Sequence, residues 1–203
     1  MKGDDHIAMY WNAEAQPNSQ RLIQILLEEC ALLRAAGGGL SGVLEYGSDV
    51  GLNLRMLHDM LPPESLTSFC AVAPNAEAVV FLQEKLPFVK VLQGEDEVFC
   101  RQPDFPPAGR YLTFVNSVFY SMEPRRVRAT LARISAFSDS VVLGDSISNL
   151  EGIFSRMHNK PECFEHPYRH WFDELGFEIV QHEAAPDLQP QMNGFVVARH
   201  RPA

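Results

Sequence analysis

The chain has 203 residues, of which 46% are hydrophobic and 21% are charged, as expected for one soluble, globular α/β domain. It has 17 lysines and arginines against 26 aspartates and glutamates, and the formal net charge of −9 argues against nucleic acid or an anionic membrane as the main partner. The basic cluster of Arg125, Arg126 and Arg128 is interpreted as the solvated face of a helix. Because the sequence contains neither a signal-peptide-like apolar segment nor an 18-residue apolar run, we expect a cytoplasmic protein without a membrane span.

Cysteines and histidines are scattered along the chain. The cysteines form no C-x-x-C pair, so we expect small buried side chains of a cytosolic protein and not disulfides or a zinc site. The seven histidines form no H-x-x-x-H pair with a nearby third ligand, and we therefore expect no bound metal. The four cysteines are Cys30, Cys70, Cys100 and Cys163.

The first half of the chain alternates helices with short strands. A 3.6-residue apolar repeat predicts a helix over "QRLIQILLEECALLRAA", capped by Asn18 or Ser19. "GVLEYG" is predicted as a buried strand, and "GLNLRMLHDML" as an amphipathic helix ended by the prolines that follow. The pattern then repeats through a strand, a helix capped by Asn75, and two more strands: "SFCAVAP", "NAEAVVFLQEKL", "FVKVLQG" and "YLTFVNSVF".

The second half continues the alternation with one interruption. "EPRRVRATLARISAF" is predicted as a helix with proline in its first turn. Ile147–Glu165 lacks a clear period and is interpreted as a long loop or broken helix, either a lid over the ligand edge or an ordinary surface excursion. The remaining predicted elements are the strand "SVVLGDS", the helix "HPYRHWFDELG" and the strands "FEIVQHEA" and "GFVVARH".

This alternation predicts a Rossmann-like, doubly wound, mostly parallel sheet with helices on both faces. Right-handed crossovers would place the carboxyl ends of the parallel strands along one edge, where ligands bind in such sheets. Two strands in succession at the end predict that the last strand is antiparallel. We expect one domain overall, with residues 1–40 as a helical lead-in packed on the α/β domain of residues 41–203.

The turn from Gly47 to Gly51 follows the first predicted strand and precedes a helix. Glycines there let a ligand approach the backbone, and the N-terminus of a helix favours anions. A dinucleotide fingerprint would need glycine where Asp49 and Leu52 stand, and no G-K-[ST] follows for a P-loop.

The stretch "EYGSDVG" resembles the first motif, [DE]-x-G-x-G-x-G, of the class I S-adenosylmethionine-dependent methyltransferases. Glu45, Gly47 and Gly51 match it, and "EYGSDVGLNL" is similar to small-molecule and sugar-pathway members with Asn or Asp at the middle glycine. The resemblance continues in order through most of the chain and implies the family's seven-stranded sheet with a reversed final strand. The further similar stretches are "AVAPNAEAVVFLQEKLPFVKVLQGEDE", "YLTFVNSVFYSMEPRRVRATLARI" and "HPYRHWFDELGFEIV".

The resemblance implies S-adenosylmethionine as the cofactor and assigns roles within the first motif. Glu45 would hold the cofactor's amino group or a bridging water, and Gly47 and Gly51 would give clearance beside its amino-acid tail. Ala73 stands where the family usually has an acid that grips both ribose hydroxyls, a pair of hydrogen bonds worth about 2–4 kcal/mol. Asp49 tolerates a left-handed turn, but its carboxylate would lie near that of the methionine moiety.

Residues after the second, third and fourth strands receive the remaining roles from the resemblance. Glu95 or Asp96 would lie near the adenine exocyclic amine. Asn116 and Ser117, at the end of the fourth strand, would face the methionine moiety and the acceptor. Asn75 could partly replace the ribose contact that Ala73 lacks.

An oxygen acceptor usually needs a base, and Tyr120, Asp145, His166 and His170 are candidates near the ends of the fourth and fifth strands. Each also has a structural interpretation. His166 and Asp145 could cap neighbouring segments, and His170 could pack beside Trp171.

The resemblance predicts methyl transfer to the hydroxyl or amine of a small molecule, such as a sugar or another metabolite. The alternative is a methyltransferase-like protein that has lost cofactor binding and serves as a binding or scaffolding module, which Ala73 and Asp49 favour. A nicotinamide-dependent oxidoreductase is disfavoured by the missing fingerprint glycines. The oligomeric state is left open.

Overall fold

The computed structural model describes residues 17–37, 39–62, 65–66, 68–145, 155–157, 160–184 and 194–201. The chain divides into two compact units, Met1–Tyr111 (unit 1) and Leu112–Ala203 (unit 2). None of the described helices is long and apolar enough to cross a membrane.

Unit 1 contains the predicted alternation of helices and strands. Its first helix begins at Pro17, so Asn18 and Ser19 lie within the first turn and the prediction that they cap the helix was wrong. Proline suits a first turn because its φ is already helical and the N–H that it lacks would have no helical partner. The elements are α1 (Pro17–Ala35), β1 (Leu40–Tyr46), α2 (Leu52–Met60), β2 (Ser68–Ala73), α3 (Ala76–Lys85), β3 (Val89–Gln93), α4 (Asp96–Cys100) and the start of β4 (Arg110–Asn116).

The first three strands pair in parallel. Glu45 of β1 lies opposite Ala71 of β2, and Ala73 of β2 lies opposite Gln93 of β3. All six residues of β2 are buried, as expected for a parallel strand covered on both faces. This pairing brings the carboxyl ends of β1, β2 and β3 to one edge of the unit.

Unit 2 contains the remaining elements. After β4 come a 3₁₀ turn (Phe119–Ser121), α5 (Pro124–Ser135), β5 (Ser138–Asp145), β6 (Ser155–Met157), β7 (Lys160–Glu165), α6 (Tyr168–Glu174), β8 (Phe177–Ala184) and β9 (Gly194–His200). Helix α5 begins with Pro124 and buries Val127, Leu131 and Ile134, which recur at helical spacing.

The seven-stranded sheet has the order β3-β2-β1-β4-β5-β9-β8. Strand β9 is antiparallel to both β5 and β8, so the predicted reversal of the last strand is confirmed. The mostly parallel, Rossmann-like fold with helices between the strands is confirmed as well.

The segment Ile147–Glu165 was predicted as a long loop or broken helix, and this was wrong for its described part. Strands β6 and β7 form an antiparallel pair with an irregularity between Arg156 and Met157. Cys163 and Phe164 are buried in succession, so no alternating pattern marks the strand in the sequence. The other residues of this segment lie outside the described part of the chain, and the choice between a lid and a surface excursion stays open.

Candidate functional site

The turn after β1 is fixed to the neighbouring strand by its backbone. The amides of Gly47 and Ser48 both donate to the carbonyl of Val72, at 2.9 and 3.1 Å, and the Gly51 amide donates to the Ser48 carbonyl at 2.8 Å. Three residues of the turn have left-handed φ angles: Gly47 (80°), Asp49 (45°) and Gly51 (74°). Aspartate tolerates this conformation, which explains how Asp49 replaces a glycine with its side chain exposed.

Gly51 is required for two reasons. Its left-handed backbone is strained for residues with a side chain, and a Cβ at this position would clash with Leu82 and Leu86. Leu82 lies on α3 and Leu86 ends it, so this glycine allows the start of α2 to pack closely against the next helix.

Glu45 is the buried carboxyl group of this corner, with 2% of its surface exposed. The Asn53 side-chain amide, in the first turn of α2, donates to Glu45 Oε1 at 2.7 Å. Burial raises the pKa of Glu45 to about 8, the hydrogen bond from Asn53 opposes this rise, and the charge of Asp49 adds to it. Near pH 7 the side chain is therefore mostly protonated.

Three buried polar atoms of the corner between β1 and α2 have no hydrogen-bond partner among the described residues: Glu45 Oε2, Asn53 Oδ1 and Ser48 Oγ. Buried polar atoms are normally hydrogen-bonded. When Glu45 is ionised, its Oε2 and the Asn53 Oδ1 can accept hydrogen bonds but cannot donate them. A ligand with several N–H donors, such as a primary ammonium group, would satisfy them.

Ala73 ends β2 and is completely buried, and its carbonyl accepts from the Gly94 amide at 3.0 Å. Its methyl group cannot bind a ribose hydroxyl. The side-chain oxygen of Asn75 accepts from the Glu77 amide at 2.9 Å, which confirms the predicted cap of α3.

Glu95 and Asp96 follow β3. Glu95 is exposed at the cap position of the short helix α4, and Asp96 is buried in its first turn. The structure therefore places all seven residues predicted for the cofactor in unit 1 just after, or at, the carboxyl ends of the parallel strands. They are Glu45, Gly47, Asp49, Gly51, Ala73, Glu95 and Asp96.

In unit 2, the ends of β4 and β5 are linked by a hydrogen bond of 2.7 Å from the Ser117 amide to the Gly144 carbonyl. Ser117 has a left-handed φ of 56°. The side-chain oxygen of the neighbouring Asn116 is buried without a hydrogen-bond partner in the described part of the chain. Asp145, at the end of β5, is 1% exposed.

Tyr168, which sequence reasoning missed, is a direct partner of Asp145. Its hydroxyl donates to Asp145 Oδ2 at 2.9 Å, and the tyrosine is fully buried. Burial, followed by the charge and hydrogen bond of Asp145, raises the pKa of Tyr168 well above its usual value. Burial also raises the pKa of Tyr120, with smaller contributions from Cys163 and Asp145, so Tyr120 lies within electrostatic range of both.

The two candidate histidines lie in different surroundings. His166 is 3% exposed, its Nε2 lies 2.8 Å from the Phe119 carbonyl, and its ring lies 5.4 Å from that of Trp171. Burial lowers its pKa although the bond to Phe119 opposes this, so His166 is neutral near pH 7. His170 is exposed on α6 and pairs with Glu174 at 3.3 Å.

The structure therefore places Tyr168 in contact with Asp145, Tyr120 within electrostatic range of Asp145, and His166 against the turn that carries Tyr120. It places His170 at the surface. No local signal in the sequence could have found Tyr168, because its partner is 23 residues away and the contact is tertiary.

No protein-family model and no curated protein matches the sequence. Solved structures do match across nearly the whole chain. Magnesium protoporphyrin IX methyltransferase (ChlM) from Synechocystis PCC 6803 with bound SAH is 12% identical with a TM-score of 0.65, covering 98% of this chain and 95% of its own. DesVI from Streptomyces venezuelae is 12% identical with a TM-score of 0.64, and 99% of each chain is covered. CalS10 from Micromonospora echinaspora, an amino pentose methyltransferase with bound SAM, is 11% identical with a TM-score of 0.62, covering 99% of this chain and 98% of its own.

These identities are low, so the likeness concerns the fold. The chain has the fold of the class I S-adenosylmethionine-dependent methyltransferases, as its motifs predicted.

Proposed function

We propose that the protein is a methyltransferase that uses S-adenosylmethionine to methylate a small molecule. The observation that carries this proposal is Glu45, buried at the end of β1 with one carboxyl oxygen that has no hydrogen-bond partner among the described residues. Similar solved structures contain SAM or SAH, which supports the choice of cofactor.

The residues of unit 1 fit this cofactor at its amino-acid end. Glu45 Oε2, Asn53 Oδ1 and Ser48 Oγ would receive the ammonium group, whose three N–H donors match three buried polar atoms. Gly47, with a left-handed φ of 80°, would leave room for the tail of the cofactor, whereas the missing side chain of Gly51 leaves room for Leu82 and Leu86. Glu95 or Asp96 would bind the adenine amine, and Ala73 would lie beside the ribose without binding it.

When bound, S-adenosylmethionine supplies a methyl group already activated by its sulfonium, so the protein contributes mainly alignment and, for a hydroxyl acceptor, a base. We assign Asp145 as that base because it is buried at the end of β5 and oriented by the Tyr168 hydroxyl. Asp145 would take the proton from the acceptor hydroxyl, while Asn116 and Ser117 would position the reacting groups.

The other base candidates are less suited. The Nε2 of His166 is engaged with the Phe119 carbonyl, and the exposed His170 is paired with Glu174. Tyr120 has a raised pKa, so near pH 7 it can donate a hydrogen bond to an acceptor but cannot serve as the base.

We propose a hydroxylated or amine-bearing metabolite as the acceptor, with an amino sugar as the first to be tried. The support is the likeness to an amino pentose methyltransferase, together with the acidic net charge of the chain. The four cysteines, three of them buried, form no disulfide, which supports the reducing cytosol as the place of action.

A second candidate, a binding module without cofactor, is favoured by Ala73, which cannot bind ribose, and by Asp49, whose carboxylate would lie near that of the cofactor. Calorimetric titration with S-adenosylmethionine and S-adenosylhomocysteine separates the two. The methyltransferase proposal predicts saturable binding at micromolar concentrations. If folded protein gives no binding heat at high-micromolar ligand, the enzyme proposal fails and the module is favoured.

Methyl transfer is then tested with methyl-labelled cofactor and a panel of amino sugars, sugars, phenols and tetrapyrrole acids. Label should pass to members of one chemical class only. Transfer to none of them, despite tight cofactor binding, would contradict the acceptor class that we propose.

A further inference from the structure

The contact between Asn53 and Glu45 does more than stabilise the start of α2. A hydrogen bond of 2.7 Å from the Asn53 amide fixes Oε1 of the carboxyl group, so Oε2 has a defined place. Oε2 and Asn53 Oδ1 are both buried without partners in the described part of the chain, and so is Ser48 Oγ. One side chain therefore orients the carboxyl group and also supplies a second acceptor.

We propose that Asn53 is a positioning residue that holds Glu45 ready for a primary ammonium group, and that capture of this ammonium expels one proton from Glu45 to solvent. This inference rests on the proposed function, because the ammonium group is that of the cofactor's amino-acid tail. It specifies the charge and the chemical structure that a ligand needs at the amino-acid end of the cofactor site.

The surroundings of Glu45 explain why a proton must leave. On β2, its pairing partner is Ala71, flanked by Val72 and by Cys70, whose thiol stays neutral because burial raises its pKa. The neutral amide of Asn53 on α2 donates a hydrogen bond to Glu45, and the negative charge of Asp49 in the turn raises the pKa of Glu45. No positively charged side chain among the described residues offsets the burial of Glu45, so an unpaired carboxylate is costly there and the neutral acid prevails.

An ammonium group changes this balance. An opposite charge within hydrogen-bond distance favours the carboxylate strongly, so the acid proton passes to the buffer while the ammonium keeps its own three protons. The Asn53 amide assists because it donates to the carboxylate, and Asn53 Oδ1 can accept from the ammonium. A ligand without an amino group should bind without releasing a proton.

The first test is calorimetry at pH 6.5 in phosphate and in imidazole, which both buffer at this pH and differ in ionisation enthalpy. With S-adenosylhomocysteine we expect release of about 0.9 proton, because Glu45 is almost fully protonated and the ligand amine fully charged at this pH. We expect no release with 5′-methylthioadenosine, which lacks the amino-acid tail, and none in the Glu45→Gln variant.

The second test follows the Glu45 carboxyl carbon by NMR during a pH titration of the free protein. Its midpoint near pH 8 should rise by at least about half a unit in Asn53→Leu, because the hydrogen bond that favours the carboxylate is lost. The isosteric Asn53→Asp should raise the midpoint of the Glu45 titration further. This second variant keeps the test decisive if the leucine variant misfolds. A merely structural Asn53 would leave this midpoint unchanged.

Gln24→Leu is the matched control, because the Gln24 amide also donates to a glutamate, Glu28, at 3.0 Å but on the exposed side of α1. It should change neither the midpoint nor the proton count. Binding of S-adenosylhomocysteine without proton release, or an unchanged midpoint in the Asn53 variants, overturns this inference alone. If neither S-adenosylhomocysteine nor 5′-methylthioadenosine binds, the proposed function is overturned and this inference with it.

Discussion

The buried side chain of Glu45 lowers the stability of the folded protein at neutral and alkaline pH. Its pKa is raised from 4.5 to about 8, so the folded protein holds a proton that the unfolded chain releases. The contribution of this group is fully present below about pH 4.5 and is lost as the pH rises to about 8. A buried acid that weakens the protein at working pH is expected of a binding residue more than of a structural one.

We therefore predict that Glu45→Gln is more stable than the wild type at high pH. Glutamine keeps the acceptor for Asn53 but cannot ionise, so the melting temperature should be roughly 10–15 °C higher at pH 8.5 and within about 1–2 °C at pH 4.5. Thermal unfolding across this range checks the prediction. A pH-independent difference would contradict a buried, proton-binding Glu45.

Ala73 is the residue at which the proposed ribose contact can be restored. Ala73→Asp should bind S-adenosylhomocysteine at least about tenfold more tightly, because a carboxylate can accept from both ribose hydroxyls. The free variant should melt at a lower temperature, because Ala73 is completely buried and the new charge is unpaired without ligand. A stable variant with unchanged affinity would show that the ribose lies elsewhere.

Asp145 is the residue that tests the proposed chemistry in unit 2. With an acceptor hydroxyl from the panel, Asp145→Asn should lower kcat by about 10²- to 10⁴-fold while S-adenosylhomocysteine affinity changes less than about twofold. Asp173→Asn is the control, because Asp173 pairs with Arg201 on the exposed side of α6. Loss of cofactor binding in Asp145→Asn, or an unchanged kcat, would argue against its role as base.

At the scale of elements, the turn between β1 and α2 was predictable because its signal is local. Two glycines and a carboxyl group within seven residues define the corner, and the backbone bonds to Val72 show why the chain turns there. The β6–β7 pair and α4 were not predictable in the same way. Each is short, and neither has the periodicity that marks a half-buried element.

The packing of the turn against α3 can be separated from its backbone conformation. Gly51→Ala should cost about 2–4 kcal/mol, because it adds a clash with Leu82 and Leu86 to an unfavourable left-handed φ. Gly37→Ala has the same backbone problem, with a φ of 71° and nothing within 4 Å of the added Cβ, so it should cost only about 1 kcal/mol. Equal losses in denaturant unfolding would contradict the packing role of Gly51.

For the whole molecule, the alternating order of strands and helices along the chain was sufficient to predict the fold, including the antiparallel β9. The residues that follow strand ends could be identified in the sequence because the carboxyl ends of parallel strands lie at one edge of the sheet. Contacts such as Tyr168 with Asp145, and the burial that shifts the pKa of Glu45, depend on distant segments and have no signal in local patterns. That residues 1–40 and 41–203 form one domain stays a prediction.

The proposal depends most directly on whether Glu45 binds the charged tail of the cofactor. Titration of S-adenosylhomocysteine into the wild type and into Glu45→Gln, both confirmed as folded, measures this. We predict micromolar binding by the wild type and at least about tenfold weaker binding by the variant, which corresponds to about 1.4 kcal/mol or more. No binding by the wild type, or equal affinities for both proteins, would contradict a cofactor site at this corner.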